Sequence, residues 1–132
     1  MKKTELILSI DTASQSEIIL MLKSGGKTLA KKKFLAPKKQ AEKLLPAIEK
    51  MLVKNWFQLK ELSGIEVVNR GGTFTSLRIG VITANALAFS LGVPVVAIDK
   101  DGVIVPEDIK KAQGLTIVAP HYDAEPNIGK KK

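Results

Sequence analysis

Residues 65–99, IEVVNRGGTFTSLRIGVITANALAFSLGVPVVAID, constrain this chain more than any other stretch. They read as a buried strand, a glycine loop, a capped helix and a second buried strand. The helix, residues 74–91, has two apolar faces. At about 100° per residue, Leu77, Val81, Ala84, Ala88 and Leu91 form one stripe, and Ile79, Ile82, Ala86 and Phe89 form another nearly opposite. Arg78 and Asn85 fall on one seam between them, and Ser76, Thr83 and Ser90 on the other. A helix that packs only on its own sheet needs one stripe. The second must be covered by another helix of this chain or by another protein. Gly80, Ala84 and Ala88 permit close helix contact in either case, so the pattern leaves the choice open.

The remaining elements follow from periodicity. Residues 6–11 form a mostly apolar strand, 17–23 a second and 27–35 a third, with Gly25 and Gly26 turning the last two into a hairpin. From 38 to 55 the period becomes helical: Ala41, Leu44, Leu45, Ile48, Met51 and Leu52 share a broad face opposite Glu42, Lys43, Glu49 and Lys50. Pro46 inside that pattern predicts a kink or a late start. Strand 65–69, helix 74–91 with Gly92 as its C-cap, and strand 93–98 complete the series. Beyond Asp99 the signal weakens, with a short helix expected over 105–111 from Pro106 and a strand over 115–119. The order β-β-β-α-β-α-β is that of a single ribonuclease H-like lobe, the α/β unit of the actin and sugar-kinase superfamily, with a mixed five-stranded sheet. Residues 1–99 make the lobe and 100–132 a short C-terminal extension.

A chain of 132 residues with 45% apolar content is about one domain long and has enough material for a real core. It has no cysteine, so disulfides and thiolate metal sites are excluded. The apolar run LILSI is too short for a secretory leader, and no run is expected to cross a membrane, which points to a cytoplasmic protein. The formal charge is +8, with lysines at 2–3, 31–33, 38–39 and 130–132 and only two arginines, Arg70 and Arg78. That balance attracts RNA or an acidic partner nonspecifically. No aromatic residues alternate with the lysines, so a stacking platform is not indicated. The terminal lysines 130–132 read as a frayed tail.

Sites for chemistry are sparse. The run SGGKT at 24–28 mimics the end of a P-loop, but Met21 stands where the first glycine is required and the segment is a hairpin turn. His121 is the only histidine, which leaves little for a paired metal site and favours a packing role. Asp11 and Asp99 end two strands, yet Asn69 and Arg70 end the strand between them, and a cation there opposes a metal-dependent nuclease. Gly71, Gly72 and Thr73 before a helix suit either an anion cradle or a plain cap by Thr73 or Thr75.

The run GGTFTSLRIGVITANALAFSLGVPVVAID resembles the signature segment of the bacterial TsaB (YeaZ) family. Gly72, Phe74, Thr75, Leu77, Arg78, Ile79 and Gly80 match its Gly-Pro-Gly-Ser-Phe-Thr-Gly-Leu-Arg-Ile-Gly pattern, with Thr73 inside the same loop. LILSIDTAS resembles the family's first strand and loop, AEKLLPAIEKML its first helix, and APHYDAEPNI its extreme C-terminus. Asn69, Arg70 and Gly71 replace the usual glycine-proline lead. Family members carry a second lobe where this chain has only residues 100–115, so the resemblance implies a shortened, single-lobe member.

The resemblance further implies a non-catalytic scaffold that activates TsaD, the subunit that makes threonylcarbamoyladenosine on tRNA, with TsaE as a further partner and tRNA reached through the complex. No cofactor, metal or membrane is implied. Asp11 and Thr12 stand where nucleotide-binding relatives hold phosphate and metal; here they are expected as a remnant, with Asp11 bonded in its own turn. The partner interface falls on Leu44, Ile48, Met51 and Leu52 of the first helix and on Ile79, Ile82, Ala86 and Phe89 of the second, or else on Leu77, Val81, Ala84 and Ala88. The same helices would serve a homodimer. The alternatives are a basic RNA-binding module on this lobe, or a self-associating relic of a nucleotide-binding fold.

Overall fold

The computed structural model describes residues 5–112 and 114–121. Lys2, Lys3, lysines 130–132 and most of the C-terminal motif lie outside them. The elements are β1 (Ile7–Asp11), β2 (Glu17–Ser24), β3 (Lys27–Leu35), α1 (Gln40–Lys54), β4 (Gly64–Val68), α2 (Phe74–Leu91), β5 (Val95–Ile98), β6 (Ile109–Ala112) and β7 (Leu115–Val118). Short turns join β1 to β2 and β2 to β3, so these strands pair antiparallel. The turn at Gly25 and Gly26 has φ of 57° and 83°, a left-handed pair that glycine adopts at little cost. Helical crossovers then make β4 parallel to β1 and β5 parallel to β4. The sheet, in the order β3-β2-β1-β4-β5, is the mixed five-stranded sheet of the ribonuclease H-like lobe expected from the sequence.

One face of this sheet carries both helices. Ile18, Leu20 and Leu22 of β2 are fully buried there, while Ile19, Met21 and Lys23 alternate onto the opposite face and are half-buried. Leu8 and Ile10 of β1, Leu44, Ile48, Met51 and Leu52 of α1, and Val81, Ala84 and Ala88 of α2 complete the core. Pro46 neither breaks nor delays α1, which begins at Gln40 and continues to Lys54. Pro46 offers no N–H to the Glu42 carbonyl, but it lies on the exposed side, where water can serve that oxygen.

The C-terminal segment departs from expectation. The helix foreseen over 105–111 is one 3-10 turn, Pro106–Asp108, after which the chain forms β6 and folds back as β7, with Ile109 opposite Val118 and Lys110 opposite Ile117. Pairing in a hairpin keeps Lys110 and Lys111 in water and carries Val105 and Val118 into the main core. A second expectation also needs correcting, because α2 is long and apolar enough to cross a membrane by length and composition. It lies instead against β1, β4 and β5, and the close fit described below marks it as a packed domain helix.

Candidate protein-docking face

The glycine loop fixes where α2 sits. Thr73 is its N-cap, its hydroxyl accepting the Ser76 N–H at 3.2 Å, and Gly92 ends it in the left-handed conformation. A Cβ at Gly72 would lie 2.3 Å from the Ala13 carbonyl oxygen, so only glycine lets the loop rest on β1's exit. One turn into the helix, the Thr12 hydroxyl donates to the Ser76 carbonyl at 2.6 Å and accepts the Gly80 N–H at 3.1 Å. Those two helix groups are four residues apart, so Thr12 bridges the helix's own ladder. A Cβ at Gly80 would come 2.5 Å from that hydroxyl. Thr12 is fully buried and engaged in this joint.

Three sides of α2 are occupied. Leu77, Val81, Ala84 and Ala88 are buried toward the sheet. On one flank the Ser76 hydroxyl donates to the Gln40 side-chain oxygen at the start of α1, and the Gln40 amide donates to the Ser14 and Glu17 carbonyls. On the other flank Asn85 makes a reciprocal pair with the Val118 backbone of β7, both bonds at 2.9 Å. The remaining side carries Ile82 at 59% exposure, Phe89 at 72%, an exposed Ala86 and a half-buried Ile79. Of the two stripes, Leu77, Val81, Ala84 and Ala88 are core; in the other, Ile79 packs against the core edge and Ile82, Ala86 and Phe89 are left exposed.

The first helix contributes differently from what the sequence suggested. Leu44, Ile48, Met51 and Leu52 are at most 3% exposed and pack in the chain's own core, so they are not a docking surface. Their stripe is the one the sheet takes, because a 15-residue helix over a sheet has only one strongly apolar side. The apolar residues left in water are Leu45 at 43%, Val53 at 72% and Trp56, which is 92% exposed just past the helix end. Trp56 also holds a positive φ of 67°, uncommon for a bulky residue. The available sequence signal was the chain's sole tryptophan following an amphipathic helix; Val53 lay off the broad stripe and gave none.

The strand ends hold their acids in local bonds. Asp11 accepts the Ala13 N–H at 2.9 Å, and Asp99 accepts the Asp101 and Val103 N–H groups. Asn69 and Arg70, at the end of β4, both donate to Asp108 at 2.9 and 2.7 Å, while Asn69 also donates to the Ala119 carbonyl. Burial alone would push the Asp108 carboxyl up; hydrogen bonds from Asn69 and Arg70, with the charges of His121 and Arg70 nearby, outweigh it and hold it below the usual carboxylate range. The His121 N–H donates to the Asn69 carbonyl, so the lone histidine tethers the chain after β7. Among the described residues no group of three or more His, Asp and Glu side chains is placed to hold a metal ion.

A family profile described as "TsaD: tRNA N6-adenosine threonylcarbamoyltransferase" matches residues 34–113. Two bacterial proteins named tRNA threonylcarbamoyladenosine biosynthesis protein TsaB are similar. That of Bacillus subtilis is 32% identical over 118 residues, 89% of this chain and 50% of the relative; that of Haemophilus influenzae is 26% identical over 113 residues, 86% and 47%. The chain belongs to the family that this profile describes, and its TsaB-named relatives place it with the TsaB (YeaZ) proteins. It spans about half the length of these TsaB relatives. The crystallised YeaZ from Pseudomonas aeruginosa has the same fold, with a TM-score of 0.66 at 22% identity over 89% of this chain and 65% of that one.

Within the TsaB signature segment, the residues divide by role. Gly72, Thr73, Leu77 and Gly80 fix the loop and the helix on the sheet. Phe74, Thr75 and Arg78 face outward, with the Arg78 guanidinium 5.3 Å from the centre of the Phe74 ring.

Proposed function

We propose that this chain is a non-catalytic docking subunit in threonylcarbamoyladenosine modification of tRNA, and that it binds the transferase TsaD through the outer face of α1 and α2. The observation that carries this reading is the set of large apolar side chains left in water on those helices: Ile82, Phe89, Val53 and Trp56, each 59% exposed or more. Burying one such side chain contributes about 1.5–3 kcal/mol, so four of them supply the centre of a stable interface. The matched profile is named for the transferase, which supports a partner with a lobe of the same fold. Two such lobes meet most simply through equivalent faces about an approximate twofold axis, packing four helices together. TsaE would join that complex, and tRNA would reach it through the transferase.

The assignment as non-catalytic is supported by how the acids are engaged: Asp11 bonds to Ala13 and Asp99 to Asp101 and Val103 within their own loops, and Asp108 bonds across to Asn69 and Arg70. Co-purification with the TsaD of the same genome, read by light scattering, tests the reading. A one-to-one complex is the expected result. A persistent monomer, or a self-dimer that excludes TsaD, would overturn it.

A further inference from the structure

The lysines of α1 do not scatter over its wet surface. Lys39, at the N-cap, and Lys43, Lys50 and Lys54 follow one another at spacings of four, seven and four, which places them on one side of the helix. The stripe runs about 22 Å at 1.5 Å per residue. Glu49 falls on another part of the helix and Glu42 stands beside Lys39 and Lys43 at one end of the stripe, but among the described residues no carboxylate forms an ion pair with any of the four lysines. Lys39 and Lys43, and again Lys50 and Lys54, are like charges one turn apart, an arrangement that weakens a helix unless an anion lies beside it.

The stripe borders a groove. Lys32 of β3 stands opposite Leu20, whose side chain is buried under the helices, so Lys32 lies on the α1 side of the sheet. Its ammonium lies 5.8 Å from the Phe34 ring centre. Lys32 and Lys50 line both halves of the trough between β3 and α1; Lys39, Lys43 and the carboxylate Glu42 border one half, Lys31, Lys54 and Asn55 the other. All five lysines are exposed. Edge strands commonly carry lysine to discourage pairing with other sheets, and Lys31 and Lys33 serve that purpose on β3. That explanation does not reach the lysines of α1.

We infer that this groove is a track for the phosphate backbone of RNA, with Lys32, Lys39, Lys43, Lys50 and Lys54 as the contacting cations. Lys39 and Lys43, and again Lys50 and Lys54, are helix neighbours about 5–6 Å apart, inside a Debye length of about 8 Å, so the fields of each pair add. Lysine supplies a point charge without base recognition, which suits backbone tracking. The choice of RNA over other polyanions rests on the reading of the chain as a tRNA-modification protein. The track lies on the β3 side of α1, with Val53 and Trp56 of the docking face adjoining its Lys54 end, so RNA and TsaD would be neighbours on α1.

The test compares two variants of the full chain that lose equal charge: Lys39→Gln, Lys43→Gln, Lys50→Gln and Lys54→Gln in one, and Lys27→Gln, Lys60→Gln, Lys110→Gln and Lys111→Gln in the other. Binding of an unmodified tRNA transcript is followed by fluorescence anisotropy across a salt series. The groove variant is expected to lose affinity at least about tenfold and to flatten the log–log salt slope by about three, with the control variant close to wild type. A Lys→Arg version at the four groove positions should retain binding, which separates lost charge from lost folding. Equal loss in both Gln variants, no tRNA binding by the wild type, or displacement of tRNA by polyglutamate as readily as by RNA would each overturn the track. TsaD binding is measured on the same proteins. A wild type that binds tRNA but not TsaD counts against the docking reading alone, and a wild type that binds TsaD but not tRNA counts against the track alone.

Discussion

On the inner side of α2, Leu77, Val81, Ala84 and Ala88 are at most 2% exposed, whereas Ile82 and Phe89 on the outer side are 59% and 72% exposed. Both stripes are apolar, and the larger side chains are the ones in water. Hydrophobicity alone therefore did not choose which side meets the sheet. Fit did: the inner side holds Gly80, whose missing side chain lets the helix backbone reach the Thr12 hydroxyl, with small alanines along the same line. The inner face secures the fold and the outer face remains for association.

Charge placed on the two sides separates them most sharply. Ala84→Asp puts an unpaired carboxylate in the core and should cost about 4 kcal/mol or more, leaving little folded protein in a urea titration. Gly80→Ala adds one methyl against Thr12 and should cost roughly 1–3 kcal/mol. Thr12→Ala in the same chain should recover part of that loss, because it removes the atom in the way; strict additivity in the double-mutant cycle would contradict the fit.

The Asp108 cluster, where the C-terminal segment meets β4, should respond next. Its folded carboxyl titrates below the ordinary value, so the fold favours the ionised form. That contribution is complete above the unfolded-state value of about 3.9 and is lost as pH falls through the lower folded value. Amide exchange in β6 and β7 should rise in that acid window and stay flat above about pH 5. Asp108→Asn should remove the pH response and cost roughly 1.5–3 kcal/mol, since hydrogen bonds to an ionised group are the stronger kind. The smallest effect on stability is expected on the outer face, where Ile82→Asp and Phe89→Asp should each stay within about 0.5 kcal/mol of wild type.

The sequence carried α2 to its ends because Thr73 and Gly92 are explicit start and stop signals. It carried the hairpin through Gly25 and Gly26, and the central strands through their near-continuous apolar runs. Strand β7 was legible as the strand expected over 115–119, but its partner β6 was not: Ile109–Ala112 is short, contains two lysines and follows a proline that reads equally well as a helix start. Its strands exist because Val105 and Val118 find the core and Asn85 accepts and donates to the Val118 backbone, all tertiary facts. The docking face was half legible. Two apolar stripes announced that α2 has a second neighbour, but neither the inner stripe's identity nor the roles of Leu45, Val53 and Trp56 follow from periodicity, since a broad amphipathic face does not say where the sheet stops.

The most direct measurement is complex formation with TsaD by a variant carrying both Ile82→Asp and Phe89→Asp, using light scattering on protein first shown to melt at the wild-type temperature. The expected result is a folded monomer that no longer joins the one-to-one complex that the wild type forms. A folded variant that still binds TsaD would contradict the assignment of this face as the docking surface.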